Sequence, residues 1–182
     1  MKEKTLKHRI LNVGCGKQKY GTHFIDLYPQ RNEVIRCNLE TEKIPFPDNF
    51  FDEVYSKNLL EHLKNPNRVL CEMYRVLKKK GKLVIITDNA GFWGWHIPWS
   101  KTHYGGYEEY GYGTKDCHYA VFTSWHLENH FKTLNLESIT AEYLISRENL
   151  VKYKLIIKLI SKFFGFFFKR MVYPQIKITG FK

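Results

Sequence analysis

Leu11-Asn12-Val13-Gly14-Cys15-Gly16, followed ten residues after its last glycine by Asp26 in Phe24-Ile25-Asp26-Leu27, decides how this chain folds. A short apolar run ends in a G-x-G turn, and a second apolar run carries an acid at its tip. That is the layout of an adenosine site at the carboxyl edge of a parallel sheet. Glycines let the backbone pass close to a ligand, and a carboxylate ending the next strand accepts both ribose hydroxyls. A dinucleotide fingerprint has its third glycine at position 19, where this chain has Lys19, so a pyrophosphate on a helix N-terminus is poorly supported. A cofactor with ribose and adenine but no phosphates fits better.

S-adenosyl-L-methionine (SAM) is the common cofactor of that description, and the next motifs agree with it. Ile44-Pro45-Phe46-Pro47-Asp48-Asn49-Phe50-Phe51-Asp52-Glu53-Val54 and Leu59-Leu60-Glu61-His62-Leu63 come first. Glu72-Met73-Tyr74-Arg75-Val76-Leu77-Lys78 then leads through Gly81 into Lys82-Leu83-Val84-Ile85-Ile86-Thr87. In that order and spacing they closely resemble the class I SAM-dependent methyltransferases, in particular the type 11 branch. The resemblance covers residues 9–144 and a last strand near the C-terminus. It implies that Gly14, Cys15 and Gly16 admit the methionine and ribose of SAM, and that Asp26 and Leu27 hold the ribose. Asn38 and Leu39 fall where the family commonly has an acid for the adenine amino group; Asn38 accepts through an uncharged amide oxygen instead. Ser56, Lys57 and Asn58 should line the cofactor and acceptor cleft, with Glu61 and His62 bracing the loop beyond it. One departure stands out: six residues, Lys17–Thr22, link Gly16 to the second strand, where a parallel crossover normally takes a dozen or more. A loop is expected in place of the first crossover helix.

Pattern predicts an α/β fold, a Rossmann-like and mostly parallel sheet with an antiparallel last strand, plus a C-terminal amphipathic helical insertion. Strands are expected at 9–13, 23–27, 33–37, 53–56, 83–87, 137–144 and 175–182. A helix should open at Asn65-Pro66, with an N-cap residue and a proline at the first helical position. Val69, Leu70, Met73, Val76 and Leu77 would face the sheet, Lys78–Lys80 would suit the helix end, and Gly81 would terminate it. A second helix should start near Thr123-Ser124 and bury Leu127, Phe131 and Leu134. The expected organisation is a SAM-binding core at 1–144, a basic insertion at 145–172 and the last core strand at 173–182.

Charge divides along the same boundary. Residues 1–144 hold 20 basic and 17 acidic residues, whereas 145–182 hold 9 basic residues and Glu148 alone as an acid. The formal net of +11 therefore describes a nearly neutral core with one basic appendage rather than a nucleic-acid surface. The absence of an Asn/Asp-Pro-Pro-Tyr/Phe turn after Ser56 also argues against a base or other exocyclic amine as acceptor. Cys15, Cys37, Cys71 and Cys117 lie far apart with no C-x-x-C, so neither zinc nor a disulfide framework is suggested. With no apolar signal core after Met1, a reduced, cytoplasmic setting is expected.

Acceptor recognition should fall in residues 88–122, where Phe92, Trp93, Trp95, Trp99, Tyr104 and Tyr107 alternate with His96, His103 and glycines. Such a loop suits a sugar or other polyhydroxylated acceptor, or it packs as a cap that closes the cleft. His118 and His96 are the base candidates for a hydroxyl acceptor, with Asp116 as an orienting partner. Leu150–Phe168 reads as a helix on which Lys154, Lys158, Lys162 and Lys169 fall within about 80° of one another beside a wide apolar face. That pattern suits a helix lying on the inner face of a membrane, or one packed on the domain or a second subunit. Three functions remain open: O-methylation of a small-molecule or glycan acceptor such as a lipid-linked saccharide, methylation of a lipophilic quinone or isoprenoid, and a non-catalytic SAM-fold partner.

Overall fold

Six of the seven strands begin within two residues of where the apolar pattern predicts them, and the fifth begins at Leu77, six residues before the expected 83. A computed structural model describes residues 8–92, 118–145 and 170–182. Its strands are β1 (Ile10–Val13), β2 (His23–Asp26), β3 (Val34–Arg36), β4 (Phe51–Lys57), β5 (Leu77–Asp88), β6 (Glu137–Leu144) and β7 (Gln175–Phe181). They form one sheet in the order β3-β2-β1-β4-β5-β7-β6. Neighbours from β3 to β5 pair in parallel, while β7 runs antiparallel between β5 and β6. The parallel strands thus share a carboxyl edge, and β7 begins at that edge.

Helix α1 (Pro66–Val76) starts as the sequence predicts: the Asn65 side chain accepts from the Arg68 amide, and Pro66 needs no donor there. Its buried stripe is Val69, Leu70, Met73 and Val76. Helix α2 (Ser124–Thr133) is held at its start by a reciprocal cap between Thr123 and His126, and it buries Leu127 and Phe131. Right-handed crossovers from β4 to β5 and from β5 to β6 run in the same direction across the sheet, so both helices cover one face. There they close over Leu11, Val13, Val54, Leu83, Ile85 and Ile178.

The end of α1 departs from expectation. The helix stops at Val76, and Leu77, fully buried, already pairs with Phe51. Lys78–Gly81 bulge before Lys82 resumes the ladder opposite Glu53. Lys80, at φ 62, makes the left-handed turn that was expected of Gly81. Gly81 is needed for space instead, since a Cβ there would lie 2.7 Å from both the Leu77 side chain and the Lys78 carbonyl. The helix is capped from far away: Lys182 Nζ donates to the carbonyls of Tyr74 and Leu77.

Opposite α1 and α2 the sheet is covered differently. No helix joins β1 to β2 or β2 to β3. Asn12, Tyr55, Val84 and Thr179 line up across this face through their ladder pairings. The loop Lys17–Thr22 lies over it. The Tyr20 ring sits 4.6 Å from that of Tyr55, and its hydroxyl donates to Glu53 Oε1 at 2.6 Å. That bond, with burial second, pushes the phenol up to about 12. A face usually closed by apolar helices here carries hydrogen-bonding side chains.

His23 stands edge-on to Phe46, Phe50 and Phe51, with ring centroids 5.2–5.9 Å away. Burial, then the nearby Arg9 charge, lowers its pKa, and burial also lowers that of His130. Once unfolded, both imidazoles return to about 6.5 and bind protons that the folded protein resists. Stability should therefore be highest above that value and fall as pH drops from about 6.5 towards the lowered folded pKa values. Thermal unfolding from pH 7 to about pH 5 reads this, and His23→Phe should flatten the slope. An unchanged slope in the variant would assign the pH dependence elsewhere.

Candidate cofactor and acceptor site

The turn after β1 is built by two glycines doing different jobs. Gly14 (φ 66) turns beneath Leu59, whose Cδ1 would lie 2.8 Å from any added Cβ. At Gly16 (φ 48) an added Cβ would meet nothing within 4 Å, so this position faces open space. The Gly16 amide donates to Asp26 Oδ2 at 2.7 Å, and the Tyr28 amide donates to Oδ1 at 2.9 Å. Both carboxylate oxygens are thereby held from the backbone, and each keeps a lone pair for a ribose hydroxyl. Leu27, half-buried, follows directly.

The other expected residues gather at the same edge with differing partners. Cys15 is fully buried, and burial is the main cause that raises its thiol pKa. Asn38 Oδ1 already accepts from the Glu40 amide at 3.1 Å, and Leu39 is buried beside it. Ser56 is buried and donates to the Val13 carbonyl at 2.9 Å, which commits its hydroxyl to the sheet. Lys57 ends β4, and Asn58 turns at φ 55 while its Oδ1 accepts from Gln175 Nε2 at 2.6 Å. This bond spans the end of β5.

Beyond it sits a cluster that the sequence reading only half saw. His118 Nδ1 lies 3.5 Å from Asp88 Oδ2, at the end of β5, and both side chains are mostly buried. Burial raises the Asp88 pKa, partly offset by His118. The His62 ring meets His118 edge-on at 4.6 Å. Glu61, also buried, accepts from Thr87 Oγ1 at 2.7 Å, and its carbonyl receives the Tyr119 amide at 2.7 Å. Glu61 thus braces the segment that carries His118, the kind of role expected of it. Asp88 and the His62–His118 contact were missed; the signal was an acid at the tip of a strand, as with Asp26. His96 and Asp116 lie outside the described residues.

A groove of about 480 Å³ lined by Lys43–Asp48 and Arg75 opens near the start of β4, at the opposite edge. Arg75 spends its donors there on Glu72, Asp48 and the carbonyls of Ile44 and Phe46. This is a brace for the loop before β4, away from the cluster of histidines.

SAM fits the carboxyl-edge cradle on the structure's own terms. An oriented carboxylate awaits two hydroxyls, and the neighbouring glycine is open where a side chain would intrude. Gly16→Ala should consequently cost the free protein only the strain of a positive φ, about 1 kcal/mol, while weakening SAM binding by about tenfold or more. Calorimetry together with thermal unfolding separates the two effects. Equal SAM affinity in a folded variant would remove Gly16 from the cradle.

Comparison with known proteins supports the same assignment. The methyltransferase domain model of type 11 matches residues 22–85, from the end of the loop after the glycine turn into β5. An uncharacterized protein of Methanocaldococcus jannaschii is 35% identical over 94 residues, 44% of this chain and 40% of its own length. The ubiquinone/menaquinone biosynthesis C-methyltransferase of Bordetella avium is 45% identical over 47 residues, 26% of this chain and 18% of its own. The chain thus spans less than half the length of these curated relatives. A SAM-dependent methyltransferase of known structure from Archaeoglobus fulgidus shares the fold, with a TM-score of 0.63 at 16% identity over 96% of this chain and 86% of that one. Residues 22–85 thus carry the match to the type 11 methyltransferase domain, and the sheet around them has the fold of a SAM-dependent methyltransferase.

Proposed function

We propose that this chain methylates an oxygen of a small-molecule or glycan acceptor, with His118 taking the acceptor's proton. The observation that carries the reading is His118 held against Asp88 on the same sheet edge as the Asp26 cradle. SAM, when bound, supplies a methyl group on an already activated sulfonium, so alignment and water exclusion account for much of the acceleration. Asp26 holds the ribose, the Gly14–Gly16 turn admits the methionine and ribose portions, Asn38 and Leu39 border the adenine, and Lys57 and Asn58 border the acceptor. With Nδ1 facing Asp88, the Nε2 of His118 is the nitrogen that receives a hydroxyl proton. Asp88 takes the orienting role first expected of Asp116.

A lipid-linked saccharide suits the surroundings of this edge. Ile145 and Arg170 flank the basic segment that includes Leu150–Phe168, which itself lies outside the described residues, and both sit at the carboxyl edge. Nearby Trp125 and Met171 are 61% and 56% exposed, and the Arg170 guanidinium stacks 4.6 Å from the Trp125 ring. Aromatic and cationic side chains of this kind favour a membrane interface. No described helix is long and apolar enough to cross a membrane. A lipophilic quinone or isoprenoid acceptor is the second reading, favoured by the local identity with the quinone C-methyltransferase.

Calorimetry with SAM and S-adenosylhomocysteine, followed by turnover assays on sugar hydroxyls and on quinones, tests the proposal. Transfer to a sugar hydroxyl supports it, and transfer to a quinone alone selects the second reading. Cofactor binding with no turnover on any acceptor, and no slow background loss of SAM, would make the chain a non-catalytic partner. Failure to co-sediment with anionic vesicles at low salt would remove the membrane from the picture, and release by added salt would mark the share that the lysines contribute.

A further inference from the structure

The turn that seats the cofactor lacks the crossover helix that would ordinarily buttress it, yet Gly16 meets Asp26 at a short hydrogen-bond distance. Something else must hold the turn down. The end of the connecting loop is fixed by β1 itself: the Thr22 amide donates to the Ile10 carbonyl at 2.9 Å, and the Thr22 hydroxyl accepts from the Ile10 amide at 2.9 Å. The middle is fixed at Tyr20, whose carbonyl accepts from Asn12 Nδ2 and whose hydroxyl donates to Glu53. Neither contact reaches Cys15–Gln18, where the Cys15 amide bonds the Ile25 carbonyl at 3.2 Å and the Gly16 amide bonds Asp26; these ties hold the start of the segment and not its Gln18 end.

Arg31 reaches it from the loop after β2. Its Nη2 donates to the Gln18 carbonyl at 2.7 Å, and its nearby charge counters part of the rise that burial causes in the Cys15 thiol pKa. The guanidinium plane lies 4.6 Å from the Phe24 ring, on the sheet face left without helices. Nη1 pairs with Glu33 at 3.4 Å, and the Arg31 side chain is only 17% exposed. Its Nε is buried with no hydrogen-bond partner among the described residues. An unpaired buried donor costs stability rather than adding it. The side chain is therefore placed for what its other nitrogens hold, the Gln18 carbonyl of the turn and Glu33.

We infer that Arg31 is a positioning residue that replaces the missing crossover helix, pinning Cys15–Gln18 to the sheet so that the seat for the amino-acid end of SAM is formed before the cofactor arrives. A planar guanidinium suits this because it stacks on an aromatic ring and donates sideways at the same time, which an ammonium does not. The inference rests on the reading of this edge as the SAM site.

The experiment compares two ligands and one property of the free protein. 5′-Methylthioadenosine carries the adenine and ribose of SAM without its amino-acid end. Arg31→Ala should weaken SAM by about tenfold or more while changing methylthioadenosine by less than about twofold. In the ligand-free variant, alkylation of Cys15 and exchange of the Gly16 amide should both accelerate, with little change in the melting temperature. Equal weakening of both ligands together with a large drop in melting temperature would make Arg31 a general stabiliser and overturn the inference. Unchanged Cys15 alkylation and Gly16 exchange would overturn it as well. Should Arg31→Ala fail to fold, Arg31→Lys gives the same two readouts, with smaller shifts expected because the charge stays and the planar fork is lost. If wild-type protein binds neither SAM nor methylthioadenosine, the cofactor reading fails, while Cys15 alkylation and Gly16 exchange still report whether Arg31 holds the turn.

Discussion

Asp26→Ala is expected to weaken SAM binding by about tenfold or more, and by more than the loss of two hydroxyl contacts alone. Charge-assisted hydrogen bonds contribute roughly 1.5–3 kcal/mol, which spans one to two decades of affinity. Asp26 also receives the amides of Gly16 and Tyr28, so the variant loses the anchor of the glycine turn as well as the acceptor for the ribose. Asp26→Asn separates these contributions. An amide oxygen can keep one backbone contact, yet it offers the ribose a neutral partner on one side and a donor on the other. Its affinity should fall between wild type and Asp26→Ala when measured by calorimetry. A folded Asp26→Ala protein that binds SAM as well as wild type would remove the ribose assignment.

Substitution of His118 by alanine should lower turnover by about 10²–10⁴-fold while leaving SAM affinity unchanged. The imidazole accepts a proton only when neutral, so wild-type kcat/KM should rise with pH as His118 deprotonates, and the variant should lose that limb. Asp88→Asn should give a smaller loss and shift the limb, because the neighbouring carboxylate no longer favours the protonated ring. If His118→Ala retains most of its activity, the base lies elsewhere, with His62 the adjacent candidate and His96 the other one named from sequence. An acceptor that needs no base would give the same result and would itself point to a carboxylate.

Legibility followed the range of the forces involved. Asn65-Pro66, Thr123 and the apolar stripes act within one or two turns of helix, and they appear in the sequence as they appear in the structure. Short apolar runs placed the parallel strands, whose residues are buried in succession as in β1 and the second half of β5. The end of α1 could not be read, because its cap is Lys182, more than a hundred positions away, and local propensity points to Gly81 instead. The Gly14–Gly16 turn and its contact with Asp26 were legible because one turn and one adjacent strand define them. Asp88 and His118 meet only once β5 and the segment before α2 have been brought together. Arg31 escaped notice because what it touches at the turn and on the sheet is a carbonyl and a ring, neither of which leaves a spacing in the sequence.

The position of β7 sets a timetable for biosynthesis. β5 and β6 never touch as neighbours, because Gln175–Phe181 lies between them and pairs with both. On the ribosome, residues 77–88 are made well before the strand that will cover their free edge. Until then a nascent chain exposes the apolar run Leu83–Ile86 beside unpaired amides and carbonyls, a template for another chain to join. The antiparallel register, Lys82 against Phe181 through Asp88 against Gln175, can close only when the last strand has cleared the exit tunnel. Ribosomes stalled before codon 175 should therefore yield chains that are protease-sensitive and bound by chaperones, and release of the full sequence should convert them rapidly to the protected form.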